Sequence, residues 1–355
     1  MVSFSDIAAG RVLGDRYEVR EKLGEGDYGA VYEVFDMHLE VSGALKLLTK
    51  IDDVLQDGLW AEAAHLRRLE GEFILGVQNA LFLEGVPTVV ADLAERGSVA
   101  QHIVAGIGLP VGTSVRWLHQ VARGLARVHD QGLLHRDIKP ANVFVSATDN
   151  ALLGDFGLVR IPDERGLAAA AGSTATMAPE VAAAFAGMTD TEAVYSRRSD
   201  IYGLGATGWW MFAGEPLHVS DDEHGIVQAG DPDLWDVAPH APRRIRDAIN
   251  QALRVDPAER FASAAEFDSA IAYRNFGARE WRRVQTEDGH LACFLGEGAG
   301  QPIRVCASPA GRKVAIDARY SDSGRKLHAA GRTVPERAMS ASLRAVMVAC
   351  SSSRR

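Results

Sequence analysis

The chain has 355 residues, 47% of them hydrophobic, with mixed charge and a net of −9, which excludes a disordered or fibrous polymer and suffices for two domains or one large one. No basic start followed by an apolar run opens it, and no uninterrupted apolar window of about 18 residues occurs, so a soluble cytoplasmic protein without membrane contact is expected. Its three cysteines, Cys293, Cys306 and Cys350, an odd number with no secretion signal, predict reduced thiols rather than a disulfide framework.

From Arg16 to Val90 the pattern is mostly strand-like, with one helical run from about Leu55 to Leu69. Within it, Gly24-Glu25-Gly26-Asp27-Tyr28-Gly29-Ala30-Val31 spells G-x-G-x-x-G-x-V. Three glycines let backbone approach phosphate closely. A dinucleotide-binding fingerprint shares the first six positions, and a plain glycine hairpin is another reading. The dinucleotide motif opens a helix, however, whereas Ala30 to Phe35 alternates like a strand. The next strand carries Ala44-Leu45-Lys46, and the following helix places Glu62 among apolar neighbours, with Leu66 and Leu69 on its face. A carboxylate buried there needs a cation, and Lys46 meets that need.

Beyond Val115 the apolar positions Val115, Leu118, Val121, Ala122, Leu125 and Val128 recur at intervals of three and four. That spacing predicts an amphipathic helix and a mostly helical second half. Then come His135-Arg136-Asp137-Ile138-Lys139-Pro140-Ala141-Asn142 and, further on, Asp155-Phe156-Gly157. Preceded in order by the glycine loop, lysine and glutamate, these segments resemble the catalytic loop and metal-binding triplet of the protein kinase family. The resemblance spans about Arg16 to Asn275 and is nearest to the eukaryotic-like serine/threonine kinases of bacteria.

The resemblance implies an α+β, bilobal kinase fold, with a β-rich N-lobe and a helical C-lobe, followed here by a small α+β appendage. It implies ATP and Mg²⁺, with Mn²⁺ as a substitute, and a protein substrate offering a Ser/Thr acceptor. ATP would be bound by Leu23, Gly24, Glu25, Gly26, Asp27, Tyr28, Gly29, Ala30, Val31, Ala44, Lys46, Ala91, Asp92 and Ala94. Asp137 would orient the hydroxyl and accept its proton, Lys139 would steady the transferred group, and Glu62 would hold Lys46. Asn142 and Asp155 would bind the metal. Glu180 of Ala178-Pro179-Glu180 would pair with Arg260, and Asp200 would hold the catalytic-loop backbone. Leu66, Val77, His135 and Phe156 would stack as an apolar column, and Ser173 would meet Asp137 and Lys139. A silent scaffold on the same fold is the competing function, but such proteins lose Lys46-, Asp137- or Asp155-type residues, and none is lost here.

Three departures from the family pattern stand out. Ala91 is small where larger side chains usually gate the pocket behind adenine, which predicts an open back pocket unless neighbours fill it. The stretch between Glu180 and Asp200 is long and includes a polar loop, Gly187 to Ser196. Thr174 and Thr176 replace the usual proline and tyrosine of the substrate-docking strip. Moreover, no Ser, Thr or Tyr lies between Asp155 and Gly172, although Arg136 marks the kinases whose activation loop is ordered by a phosphate. Activity without phosphorylation there is expected, with Arg136 satisfied by Asp163, Glu164 or a phosphate on Thr174. The alternative is a disordered loop that waits for a partner.

A short lead-in (1–15), a kinase domain (16–275) and a basic C-terminal domain (276–355) are expected. From Gly277 onward the chain has 14 basic and 7 acidic residues. No nucleic-acid module is recognisable there, so intramolecular docking on the acidic kinase body is favoured over nucleic acid. Ile303–Cys306, Lys313–Ala318 and Lys326–Ala330 read as short strands, and Ala338–Ala349 as a helix. His290, Cys293, Cys306 and His328 could supply zinc ligands, but their spacing matches no paired motif and ordinary buried thiols are favoured.

Overall fold

The computed structural model describes residues 7–26, 29–49, 69, 71–156, 159–187, 193–217, 231–272, 279–286, 289–298, 300–327 and 330–351. Of the expected helix at 55–69 only Leu69 is among them; Glu62 and Leu66 lie outside, as do Asp27, Tyr28, Gly157, Asn275 and His328. Six antiparallel strands form the first sheet: β1 (Val12–Leu13), β2 (Tyr17–Gly26), β3 (Gly29–Asp36), β4 (Val41–Leu47), β5 (Val77–Leu83) and β6 (Val86–Asp92), in the order β1-β2-β3-β4-β6-β5. Period-two alternation sorts their side chains. Tyr32, Val34, Leu45, Leu47 and Val90 are fully buried in one core, which leaves Val31, Ala44, Lys46 and Ala91 on the opposite face.

The helical part is built on α1 (Val99–His102), α2 (Val111–Asp130), α3 (Pro179–Phe185), α4 (Arg197–Ala213), α5 (Leu234–Val237), α6 (Arg243–Ala252) and α7 (Ala264–Ile271). All six periodic positions of α2 are buried. Between α2 and α3 lie β7 (Val143–Val145) and β8 (Ala151–Leu153), a hairpin, then β9 (Ala168–Ala169), which pairs with β10 (Ala193–Tyr195) just before α4. The long polar stretch before Asp200 thus contains a strand. Helix α4 is buried nearly all round and gives the surrounding elements a rigid centre. No helix among the described residues is long and apolar enough to cross a membrane.

A second, five-stranded antiparallel sheet follows: β11 (Arg279–Val284), β12 (Ala292–Gly298), β13 (Ile303–Ala310), β14 (Lys313–Tyr320) and β15 (Arg332–Pro335), in sequence order. Helix α8 (Met339–Ser351) lays Leu343, Val346 and Met347 in one cluster with Phe294, Val305 and Ile316. One expectation is corrected here. Of the expected strand Lys326–Ala330, the described residues Lys326, Leu327 and Ala330 form none; Lys326 makes a single bridge to Arg319, and the last strand among the described residues is β15. Strands β11 and β12 went unanticipated because β11 is charge-rich: even its buried Arg279 is kept, donating from Nε and Nη1 to the carbonyls of Cys350 and Gln301.

The expected reduced thiols are also corrected. Strands β12 and β13 set Cys293 directly opposite Cys306, with Cα atoms 4.2 Å apart, and the two sulfurs are bonded, leaving Cys350 as a buried free thiol. Both sulfurs are thereby withdrawn from the zinc-ligand set, although His290 Nδ1 lies 3.3 Å from Cys293 Sγ. In the chain-entropy account a loop of this length is worth about 3 kcal/mol. The double variant Cys293→Ser/Cys306→Ser should lower the stability of the C-terminal sheet by that order in urea titration against oxidised wild type. Coincident unfolding curves would show that the bond carries no stability.

Several contacts join this second sheet and its helix to the helical part. Glu280 accepts from the Gly112 amide at the start of α2, Ser340 Oγ donates to the Asp236 carbonyl, and the Arg344 guanidinium lies over the Trp235 ring. His240 sits between Phe212 and Phe294, where burial, with Arg283 nearby, pushes its pKa down to about 3.

Candidate active site

The roof of the cleft is set by strand register. Val31 pairs with Lys46 and Lys46 with Val89, while Ala44 pairs with Ala91 and Gly43 with Asp92. Val31, Ala44, Lys46, Val89 and Ala91 therefore share one face. Val89 was not anticipated, although its parity with Ala91 could have revealed it. The glycine segment is a hairpin continuing both strands, with Gly24 opposite Val31, Glu25 opposite Ala30 and Gly26 opposite Gly29. At Gly29, with φ +147°, a Cβ would fall 1.9 Å from the Leu47 carbonyl oxygen, so only glycine closes the hairpin onto β4. Leu23 is exposed at its rim. Asp92 leaves the row, its amide donating to the Gly76 carbonyl and its carboxylate accepting from Gln78, and Ala94 follows, its carbonyl accepting from Gly97.

Below the roof, Asp137, Lys139, Asn142 and Asp155 converge. Asn142 Nδ2 donates to both the carbonyl and Oδ2 of Asp137 at 2.8 Å, and Lys139 Nζ is 2.8 Å from the same Oδ2. Ser173 donates to Asp137 Oδ1 from its amide at 3.0 Å and from its hydroxyl at 2.7 Å, and Lys139 bonds that hydroxyl too. Across the cleft, Lys46 Nζ donates to Asp155 Oδ1 at 2.6 Å. The expected Lys46–Glu62 pair involves a residue outside those described.

This arrangement is held from behind by Asp200 on α4. Its carboxylate is fully buried and accepts from the amides of His135 and Arg136, from His129 Nε2 and from the Tyr195 hydroxyl, all at 2.8–2.9 Å. Burial alone would raise its pKa; the hydrogen bond and charge of His129, with the other donors, bring it below the usual carboxylate value. Two non-glycine residues, Arg136 at φ 67° and Asp155 at φ 53°, occupy the left-handed region, a conformation that persists only where the surroundings over-determine it. His135 is buried and its pKa lowered, chiefly by desolvation. Its Nε2 faces the Gly154 carbonyl and its Nδ1 accepts from the Asp137 amide, which fixes the neutral Nε2–H tautomer. The ring packs 5.3 Å from Phe156, while Val77 packs against the same core.

The donor set suits a hard divalent cation. Asn142 spends its Nδ2 on Asp137 and so keeps Oδ1 as an acceptor, and Asp155 supplies carboxylate oxygens. Further out, Arg260 grips Glu180 bidentately at 2.8 and 2.7 Å. Between these points runs the altered docking strip, with Thr174 exposed and Thr176 buried.

A strand-rich lobe with a glycine hairpin and lysine, set over a helical lobe that presents an aspartate, an asparagine and a second aspartate, is the architecture of a phosphoryl-transfer fold. The chain belongs to the protein kinase family: the family described as "Protein kinase domain" matches residues 17–270. Similar proteins include serine/threonine-protein kinase PknJ of Mycobacterium bovis, 29% identical over 77% of this chain and 47% of that protein. Serine/threonine-protein kinase PknD of Mycobacterium tuberculosis is 31% identical over 72% of this chain and 39% of its own length. Serine/threonine-protein kinase PknA of Mycobacterium tuberculosis is 26% identical over 95% of this chain and 78% of its own. The chain thus spans less than half of PknJ and PknD. The family uses ATP and a divalent metal ion.

Proposed function

We propose that this chain is a serine/threonine protein kinase that transfers the γ-phosphoryl group of ATP to a protein hydroxyl. The observation that carries the reading is the serine hydroxyl of Ser173 held against both Asp137 and Lys139, the position an acceptor of that class would approach. Asp137 orients the incoming hydroxyl and takes its proton, and Lys139 offers its charge to the phosphoryl oxygens. Lys46, which donates to Asp155 in the structure, would hold the α- and β-phosphates, and residues 23–31 would supply backbone to the same phosphates. Ala44, Ala91, Asp92 and Ala94 would hold the adenine. Mg²⁺ would be held by Asn142 and Asp155 and would neutralise phosphate charge. The reading is tested by labelled phosphate transfer from ATP to a mixed protein substrate, with phosphoamino-acid analysis and Asp137→Asn as control. Incorporation no greater than in the control would sink it. The silent-scaffold alternative is not favoured, since Lys46, Asp137 and Asp155 are all present.

Part of the same proposal is that residues 16–275 form the kinase domain and 276–355 a separate basic domain docked on its helical lobe. Support comes from two separate hydrophobic clusters and from the Glu280, Ser340 and Arg344 contacts. The contacts are aromatic and backbone-directed rather than the broad charge match that composition suggests. A cytoplasmic location belongs to the proposal as well. Thiols are kept reduced there, so thiol trapping in cell fractions tests the compartment and the Cys293–Cys306 bond together.

Ala91 gives a pharmacological test. A purine-like inhibitor with a bulky aromatic group aimed behind adenine should act on the wild-type enzyme, and Ala91→Met should weaken it at least about tenfold, or 1.4 kcal/mol, with ATP affinity little changed. Equal inhibition of both forms would show that the space behind Ala91 is filled.

A further inference from the structure

We infer that strand β10 and Tyr195 form a built-in brace that holds the activation segment in place without a phosphate, making Tyr195 a positioning residue for phosphoryl transfer. The inference rests on the kinase reading above and names the regulation of that site. Its starting point is the missing hydroxyl: between Asp155 and Gly172 there is no residue to phosphorylate. Where an activation segment is ordered by phosphate, charge-assisted hydrogen bonds to an arginine supply the order. Here Arg136 Nη1 donates to the backbone carbonyl of Ala169 at 3.0 Å. Asp163, expected with Glu164 or a Thr174 phosphate as its partner, is engaged by Arg165 and by the amides of Arg165 and Leu167, closing a local turn.

Ala169 belongs to β9, and β9 is paired antiparallel with β10, Ala193 opposite Ala169 and Tyr195 opposite Ala168. Two such short strands are not stable on their own. Tyr195 supplies the anchor. Its ring is 4% exposed and its hydroxyl donates to Asp200 Oδ1 at 2.9 Å, the carboxylate that also receives the His135 and Arg136 amides. One buried acid therefore fixes the catalytic loop with two of its contacts and, through Tyr195, the strand against which the activation segment lies. The alanines suit this role, since Ala168 is itself buried against the core. Gly172 completes the path: at φ +113° a Cβ would sit 2.4 Å from the Arg136 carbonyl oxygen, so the segment passes in contact with the catalytic loop just before Ser173.

The test uses full-length, phosphatase-treated protein and two variants. Tyr195→Phe keeps the ring and removes the hydroxyl; Ala193→Pro removes an N–H and disfavours strand pairing. Hydrogen–deuterium exchange is read at residues 167–172, with the amides of α2 as a folding control, and kcat and KM for ATP are measured on a peptide. Dephosphorylated wild type should keep at least half its rate and retain slow exchange. Ala193→Pro should speed exchange at 167–172 and lower kcat at least tenfold, and Tyr195→Phe should lower kcat severalfold, with KM for ATP within twofold and α2 still protected. The brace is overturned if dephosphorylation alone accelerates exchange and silences wild type, or if both variants leave exchange and kcat unchanged. Failure of the kinase reading would look different, with wild type no better than Asp137→Asn while the exchange pattern still judges the brace.

Discussion

Lys46→Met and Asp155→Ala should each lower turnover by more than about a hundredfold while leaving the fold intact. In the structure the two side chains neutralise each other across the cleft at 2.6 Å, with 19% and 31% of their side-chain surfaces exposed. Neither fills core volume. Removing one leaves a charge that water can still reach, so the stability change should stay within about 1 kcal/mol. Catalysis has no such cushion, because the transition state spreads charge over phosphoryl oxygens and must be met by fixed cations and correctly held metal ligands. Initial rates with saturating ATP, alongside circular dichroism and thermal melting, separate the two effects. Wild-type-like turnover in either variant would remove Lys46 or Asp155 from the site.

The second large effect is structural. Arg260 is buried, and its five N–H donors find Glu180 through both oxygens and the carbonyls of Arg198, Arg254 and Val255. Its guanidinium also lies 4.9 Å from the Tyr202 ring centroid. Lysine cannot reproduce that fork. Breaking a buried pair by removing one partner costs about 3–5 kcal/mol, which for a domain of this size lowers Tm on the order of 10 °C. Arg260→Lys and Arg260→Ala should both show this loss in calorimetry. Glu180→Gln, which keeps the shape and removes one charge, should fall between them and wild type. A melting point within about 2 °C of wild type for Arg260→Ala would mean the pair holds nothing.

Much of this was legible in the sequence because the relevant signals are local. The hairpin of Gly24 to Val31 follows from strand alternation on both sides of the glycines, and α2 follows from six apolar positions at helical spacing. The convergence of Asp137, Asn142 and Asp155 was reachable only through resemblance, since nothing in their spacing brings Ser173 onto Asp137. Three features stayed hidden for identifiable reasons. Strand β11 is written Arg279-Glu280-Trp281-Arg282-Arg283-Val284, and its charges mask the burial of Arg279 and Trp281 on one face. The Cys293–Cys306 bond depends on the register of two strands, which residue counting cannot supply. The β9–β10 pair joins residues some two dozen positions apart through stretches of two and three residues, too short for any periodicity to develop.

The four donors gathered by Asp200 also bear on how the chain reaches its native state. Hairpin β7–β8 closes between near neighbours and α2 is local throughout, so both can form early. Asp200, by contrast, meets His129 and His135 across sequence separations of 71 and 65 residues, contacts whose loop-closure entropy must be met before they give anything back. The left-handed turn at Arg136 has no local reason to exist until that carboxylate arrives. Catalytic competence should therefore be among the last properties to appear on refolding, lagging the recovery of helix signal, and a chain still emerging from the ribosome would carry a formed hairpin and an unassembled active site until α4 is in place.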